Sequence, residues 1–91
     1  MSQSAVLLDL NAVTAYPASP QVVAPFVPDT YLVRIETGAI GVMVSFDGVT
    51  DHVHLKTTDP NLPIPTHAQK MWLREDSSGA CTVRVTALTN I

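Results

Sequence analysis

The chain has 91 residues and a formal net charge of −3, and its residues are 46% hydrophobic but only 14% charged. A chain of this length forms one small domain that buries only about 60–65% of its unfolded surface. The charged fraction is well below the roughly 25% of an average soluble domain, which favours a protein held against other protein surfaces. The five basic residues are scattered along an acidic chain, and this argues against nucleic-acid binding.

The composition also excludes several kinds of site and location. No apolar run approaches the ~20 residues that a membrane helix needs, and the N-terminus lacks the basic region of a signal peptide. The single cysteine, Cys81, rules out an internal disulfide and a CxxC-type zinc site, and it is predicted to be a small buried residue. We therefore expect a soluble protein, made in the cytoplasm, with no cofactor and no membrane partner.

Two proline clusters divide the chain, one within residues 17–28 and one within residues 60–65. Proline lacks a backbone donor, so neither region is predicted to form a helix or a central strand. Residues 1–29 are predicted to form an extended N-terminal strand or arm, with a short strand from about Ala5 to Leu10, and residues 30–91 a β-sandwich body. The arm either wraps on its own domain or reaches a neighbouring subunit.

From Thr30 onward, apolar and polar residues alternate in one short segment after another. The segments are "TYLVRIET", "GVMVSF", "HVHLK", "QKMWLRE" and "ACTVRVTAL". This period is typical of half-buried antiparallel strands, and turn-forming residues separate the segments. The pattern predicts an all-β fold, a small antiparallel β-sandwich or jelly-roll-like barrel of about six to eight short strands. The long connection "TTDPNLPIPTH" is predicted to cross from one sheet to the other.

The stretch "VSFDGVTDHVHL" (residues 44–55) concentrates acids and histidines. Asp47 and Gly48 fit a tight turn, which the side chains of Thr50 and Asp51 are expected to close. His52 and His54 then share the outer face of the next strand. The alternative is a metal site, but a His-x-His pair needs at least one further ligand, from an acid of the turn or from His67. The turn-plus-strand interpretation explains these residues without a metal.

No pattern of catalytic residues emerges from the sequence. The acid pairs at residues 47/51 and 75/76 fall in predicted turns, where solvated carboxylates are expected rather than a desolvated general acid. No G-x-S-x-G elbow or phosphate-binding glycine loop occurs. We therefore expect a protein that is not an enzyme.

Aromatic and arginine side chains are the best candidates for an interface, because Trp, Tyr and Arg are enriched at binding hot spots. The candidate interface residues are Trp72, Arg74, Arg84, Arg34, Tyr16 and Phe26. If their strands are neighbours, the three arginines are expected to form a basic row that pairs with Glu36 or with an acidic partner. The alternatives are a tryptophan packed at the sheet edge and an ordinary solvated face.

Four motifs in the C-terminal half, taken in order, resemble a known class of protein. They are "FDG" at 46–48, "DH" at 51–52, "MWLR" at 71–74 and "VRVTA" at 83–87. Together they are similar to small β-structured virion proteins of tailed bacteriophages, of the type that decorates or cements the capsid. The first forty residues carry no such similarity.

The resemblance implies a structural role in a virion, assembled in many copies as a homo-oligomer, such as a trimer, on the major capsid protein or another virion protein. Low charge and a Pro-rich, extended N-terminal segment suit a subunit stabilised by its neighbours. The alternative is a small carbohydrate- or host-surface-binding β-module of a phage tail or fibre.

Overall fold

A computed structural model of the chain describes residues 2–11, 13–38, 40–56, 62–77 and 79–89. Within these ranges the chain forms strands and no helix. The strands are β1 (Ser2–Asp9), β2 (Val22–Val23), β3 (Thr30–Gly38), β4 (Val42–Ser45), β5 (Val53–Leu55), β6 (Leu62–Pro65), β7 (Lys70–Glu75) and β8 (Cys81–Thr89). The described residues accordingly contain no helix able to span a membrane.

The strands form two four-stranded antiparallel sheets. Sheet one has the order β1-β8-β3-β6, and sheet two has the order β2-β7-β4-β5. Four of the strand pairs are those of one long hairpin: β1–β8, β2–β7, β3–β6 and β4–β5. This hairpin is rolled up, so that β3 also pairs with β8 and β4 also pairs with β7. This is the jelly-roll form of a β-sandwich, and the predicted all-β fold class is confirmed.

The core lies between the sheets and follows the alternation in the sequence. Its buried hydrophobic residues are Leu10, Val22, Ala24, Tyr31, Val33, Val42, Val44, Leu55, Ile64, Met71, Leu73, Cys81, Val83, Val85 and Ala87. The hydroxyl of Tyr31 donates to the carbonyl of Ala68 at 2.6 Å, so the buried polar atom of this large side chain is satisfied. Cys81 is 2% exposed, which confirms its predicted place in the core.

The N-terminal segment and the second proline cluster contribute edge strands. The N-terminal segment supplies β1, which pairs with β8 along eight residues, and the short β2, which pairs with β7. In the second cluster, β6 pairs with β3 of sheet one, whereas β5 belongs to sheet two, so the predicted crossing between sheets is confirmed. Residues 57–61 of that connection lie outside the described residues. Pairing of the N-terminal segment with a neighbouring subunit stays a prediction.

Candidate interaction surfaces

The turn after β4 is closed by the side chain of Asp47. Its Oδ1 accepts the backbone N–H groups of Val49 at 2.8 Å and Thr50 at 2.7 Å. These backbone donors, that of Thr50 first, hold the pKa of Asp47 well below its usual range. Ser45 supports the turn by donating to Asp47 Oδ1 and accepting the N–H of Gly48, both at 2.9 Å. The predicted turn is confirmed, but Asp47 closes it.

Asp51 points away from the turn into a polar cluster with Tyr16 and Arg74, so the expectation that it closes the turn is wrong. Arg74 Nη2 donates to Asp51 Oδ2 at 2.7 Å and Nε to Oδ1 at 3.3 Å. The Tyr16 hydroxyl also donates to Asp51 Oδ1, and the guanidinium of Arg74 lies 5.6 Å from the centre of the Tyr16 ring. Arg74 lowers the pKa of Asp51, while partial burial and Asp51 raise the pKa of Tyr16. The cluster ties the N-terminal segment to sheet two.

His52 and His54 are exposed on the outer side of sheet two, as the alternation predicted. His52 Nδ1 accepts the backbone N–H of Phe46 at 3.1 Å, which braces the turn. His54 Nε2 lies 2.8 Å from Asp76 Oδ2, and this contact lowers the pKa of the Asp76 carboxyl. The two histidines therefore have separate structural partners.

The third histidine, His67, lies at the other sheet. Its Nδ1 donates to the carbonyl of Pro28 at 2.8 Å, in the connection that leads into β3. Among the described residues, no group of three or more His, Cys, Asp or Glu side chains is placed to hold a metal ion. The structure therefore does not bring together the three ligands that the metal interpretation required.

Trp72, a predicted interface residue, lies half-buried on the outer face of β7, opposite Ser45 of β4. The turn covers its ring, because a Cβ on Gly48 would come 3.0 Å from Trp72 Cε2. Gly48 has φ +78°, which favours glycine as well. Phe26 is also half-buried and packs against the core. These two aromatic side chains contact their own chain, and their role at an interface stays a prediction.

The basic row expected from the three arginines is wrong for Arg74. Arg34 and Arg84 are register partners on β3 and β8 of sheet one, whereas Arg74 lies on β7 of sheet two. Arg84 Nε donates to Glu36 Oε1 at 3.0 Å, and Arg34 Nε is 3.9 Å from the same oxygen. Glu36 thus offsets the repulsion between two adjacent like charges. The sequence shows which face an arginine occupies, but not which strands are neighbours.

Glu75 departs furthest from the sequence prediction, because the sequence predicts a solvated turn at this residue and the structure has it 0% exposed at the end of β7. It continues the inward-facing series of Met71 and Leu73. Neither carboxylate oxygen has a hydrogen-bond partner within the part of the chain that the structure describes. Its charge contributes to raising the pKa of Cys81, for which burial is the larger cause. The alternation of β7, continued by one further repeat of two residues from Leu73, would have indicated this burial.

The edges of the two sheets differ in how their backbone groups are satisfied. On β6, Thr66 N donates to the Asp29 carbonyl at 3.2 Å, so the even-numbered residues face β3 and the odd-numbered ones face outward. The two outward positions are Pro63 and Pro65, which have no N–H. This edge therefore offers no donor to an added strand.

The exposed side of β7 is closed by other parts of the chain. Beyond the short β2, the side-chain amide of Gln21 donates to the Leu73 carbonyl at 2.7 Å and accepts the Leu73 N–H at 2.9 Å. One step further, the N–H of Glu75 donates to the Val13 carbonyl at 2.7 Å. At the other edge of sheet two, β5 is only three residues long. His52 and Lys56 flank it and His54 lies within it, and all three are exposed. A short edge strand with exposed polar side chains is a poor template for pairing.

β1 forms an open edge. Leu10 N donates to the Cys81 carbonyl at 2.8 Å, so in the β1–β8 register the even-numbered residues bond to β8 and the odd-numbered ones point outward. The outward residues are Gln3, Ala5, Leu7 and Asp9. Within the described chain, no β-strand lies beyond them. Val6 and Leu7 are 37% and 56% exposed. An eight-residue edge strand of this kind is a template for pairing.

None of the predicted interface residues lies on this open edge. The available signal was the sequence "SQSAVLLD", an uncharged, proline-free strand that ends in a single acid. Its position at a sheet edge, which makes that composition significant, depends on the pairing of β1 with β8.

Comparisons with known proteins give little further information. No protein-family model matches the chain, and no curated protein matches it. A solved structure of the disulfide-linked pili formed by Bacillus endospore appendages is similar, with a TM-score of 0.47 and 16% sequence identity over 98% of this chain and 88% of that chain. A similarity this distant establishes neither a family nor a function.

Proposed function

We propose that this protein is a non-enzymatic structural subunit of a bacteriophage virion, which associates with copies of itself and decorates or stabilises the capsid. The observation that carries the proposal is the open edge of β1, where four residues direct backbone donors and acceptors outward. Strand addition to such an edge supplies affinity through backbone hydrogen bonds, so a small, weakly charged subunit can assemble without a specialised pocket.

The polar side chains support a structural role over a catalytic one. Asp47 binds its own turn, Asp51 binds Arg74, and His54 binds Asp76. Each of these contacts joins two parts of the fold. The residues that first suggested an active site therefore have a structural explanation.

The virion assignment depends on the four sequence motifs, and their arrangement supports treating three of them as one unit. Gly48 of "FDG" lies on the ring of Trp72 in "MWLR", and Asp51 of "DH" binds Arg74 of the same motif. The fourth motif, "VRVTA", lies on β8, the partner of β1. The motifs thus combine a braced turn with the strand that supports the open edge.

Localisation on purified particles tests this function. Particles of the phage that encodes the chain are labelled with a gold-conjugated antibody against the protein and imaged by electron microscopy. We expect label distributed over the head surface. Absence from intact particles would overturn the proposal. Label confined to the tail or fibres would replace capsid decoration with the host-surface alternative, which a glycan array then tests directly.

A further inference from the structure

We propose that β1 binds the β1 strand of a second copy of this chain, antiparallel and centred on Val6, so that the two copies of sheet one form a continuous eight-stranded sheet. This inference rests on the self-association part of the proposed function and names its partner surface. It does not depend on a virion location.

The positions of the outward backbone groups determine the register. Only odd-numbered residues of β1 direct their N–H and C=O away from β8, so a second strand must align odd-numbered residues with odd-numbered residues. When the twofold axis passes beside Val6, Gln3 lies opposite the partner's Asp9, and Ala5 opposite the partner's Leu7. All four outward residues of each copy are then paired. A shift by two residues in either direction leaves one of them without a β1 partner.

The side chains fit a second copy in this register. On the outer face, exposed Leu7 covers the partner's Ala5, and the one acid, Asp9, meets the neutral Gln3 rather than a second acid. On the inner face, Val6 meets the partner's Val6, which removes from water a side chain that sheet two leaves 37% exposed. The arrangement brings apolar residues together and avoids like charges directly opposite each other.

A second copy also offers a suitable strand. The other edge strands in the described chain are β6, which carries prolines, the two-residue β2, beyond which Gln21 caps β7, and the three-residue β5, which His52 and Lys56 flank. The strand of a second copy that can add to β1 over eight residues is therefore its own β1. An edge-to-edge interface of this size is small, so we expect a dissociation constant on the order of micromolar.

Light scattering after size-exclusion chromatography tests the pairing. With a chain mass of 9.8 kDa, the wild type is expected to approach twice that mass as its concentration rises from about 1 to about 500 µM. Ala5→Pro removes an outward N–H without touching the bonds to β8, as the chain itself does at Pro63 and Pro65. This variant is expected to stay at the monomer mass at every concentration, with the wild-type circular dichroism spectrum.

Cross-linking tests the register independently of Ala5→Pro. In the proposed pairing, Val6 lies in a non-hydrogen-bonded pair whose Cα atoms are about 4.5 Å apart, within reach of a disulfide. Val6→Cys in a Cys81→Ala background, oxidised by glutathione disulfide, should give a covalent dimer on a non-reducing gel. Ser4→Cys in the same background is the control, because the two cysteines would be about 14 Å apart.

The outcomes separate this inference from the proposed function. A wild type that stays monomeric, an Ala5→Pro variant that still associates, or equal cross-linking of the Val6 and Ser4 variants would overturn pairing through β1. If the chain fails these tests but the antibody against it labels phage heads, the virion role stays in place. A chain that passes them but is absent from particles supports β1 pairing and overturns the virion role.

Discussion

The two sheets leave polar groups without partners in different places. Sheet one has an open edge at β1, because the odd-numbered residues of β1 direct backbone groups away from the sheet. In sheet two, Gln21 and Val13 satisfy the backbone groups of β7 that the short β2 leaves unpaired. The same sheet buries the carboxyl group of Glu75 without a partner among the described residues. Unpaired groups at a solvated edge retain water and remain available to a partner, whereas a buried unpaired charge destabilises the fold.

The largest expected effect compares two neighbouring positions of β1. Val6→Pro removes an N–H that bonds to β8 and leaves the accepting carbonyl on β8 without its donor, so we expect it to lower the free energy of unfolding by about 3 kcal/mol. Ala5→Pro removes an outward N–H, and we expect it to cost about 1 kcal/mol or less, as for a surface change. Urea unfolding monitored by circular dichroism at low protein concentration measures both. Equal destabilisation would contradict the assigned direction of the β1 backbone groups.

The buried carboxylate of sheet two gives an effect of opposite sign. Glu75→Met replaces a buried carboxyl group, which has no partner in the described chain, by an apolar side chain of similar size, so we expect a gain of about 1–3 kcal/mol in unfolding free energy. Glu36→Met is the matched control, since Glu36 is paired with Arg84 on the face of sheet one. That variant should lose up to about 1 kcal/mol, as exposed ion pairs do. Destabilisation by Glu75→Met would show that the carboxyl group has a favourable partner.

A smaller loss of stability is expected when the side chain that caps the backbone of β7 is removed. Gln21→Ala removes both hydrogen bonds to the backbone of Leu73 and should cost about 1 kcal/mol, because water replaces part of the lost interaction. Gln69→Ala serves as the control, since Gln69 is exposed and its backbone carbonyl, which is unchanged, makes the bond to Ala24. Chemical unfolding measures the difference. Equal stabilities would mean that Gln21 does not cap the backbone of β7.

The smallest effect is a loss of stability in acid, which we expect from three aspartates at sheet two. The pKa values of Asp47, Asp51 and Asp76 are lowered by their donors in the fold, so each stabilises the protein above the ordinary carboxyl pKa of about 4. This stabilisation is lost as the pH falls from that value through the folded-state pKa values. Thermal midpoints measured between about pH 6 and pH 2 should fall, and should fall less steeply in Asp51→Asn. An unchanged slope in that variant would exclude Asp51 as a contributor.

The sequence by itself determined the local properties of the chain. Alternation identified the buried faces of β3, β4, β7 and β8, because successive side chains of a strand point to opposite faces. Asp47 and Gly48 marked the turn, because glycine adopts a positive φ without steric cost. The same period placed His52 and His54 outside. These features depend only on neighbouring residues, so they could be predicted without knowledge of strand pairing.

Only the tertiary structure decided which strands are neighbours. Strand pairing separated Arg74 from Arg34 and Arg84, and it placed β1 at an open edge. It also gave Asp51 its partners, which lie 23 and 35 residues away in sequence. The physical reason is that side-chain period is a property of one strand, whereas an edge, an ion pair or an interface is defined by which distant strands the rolled hairpin brings together.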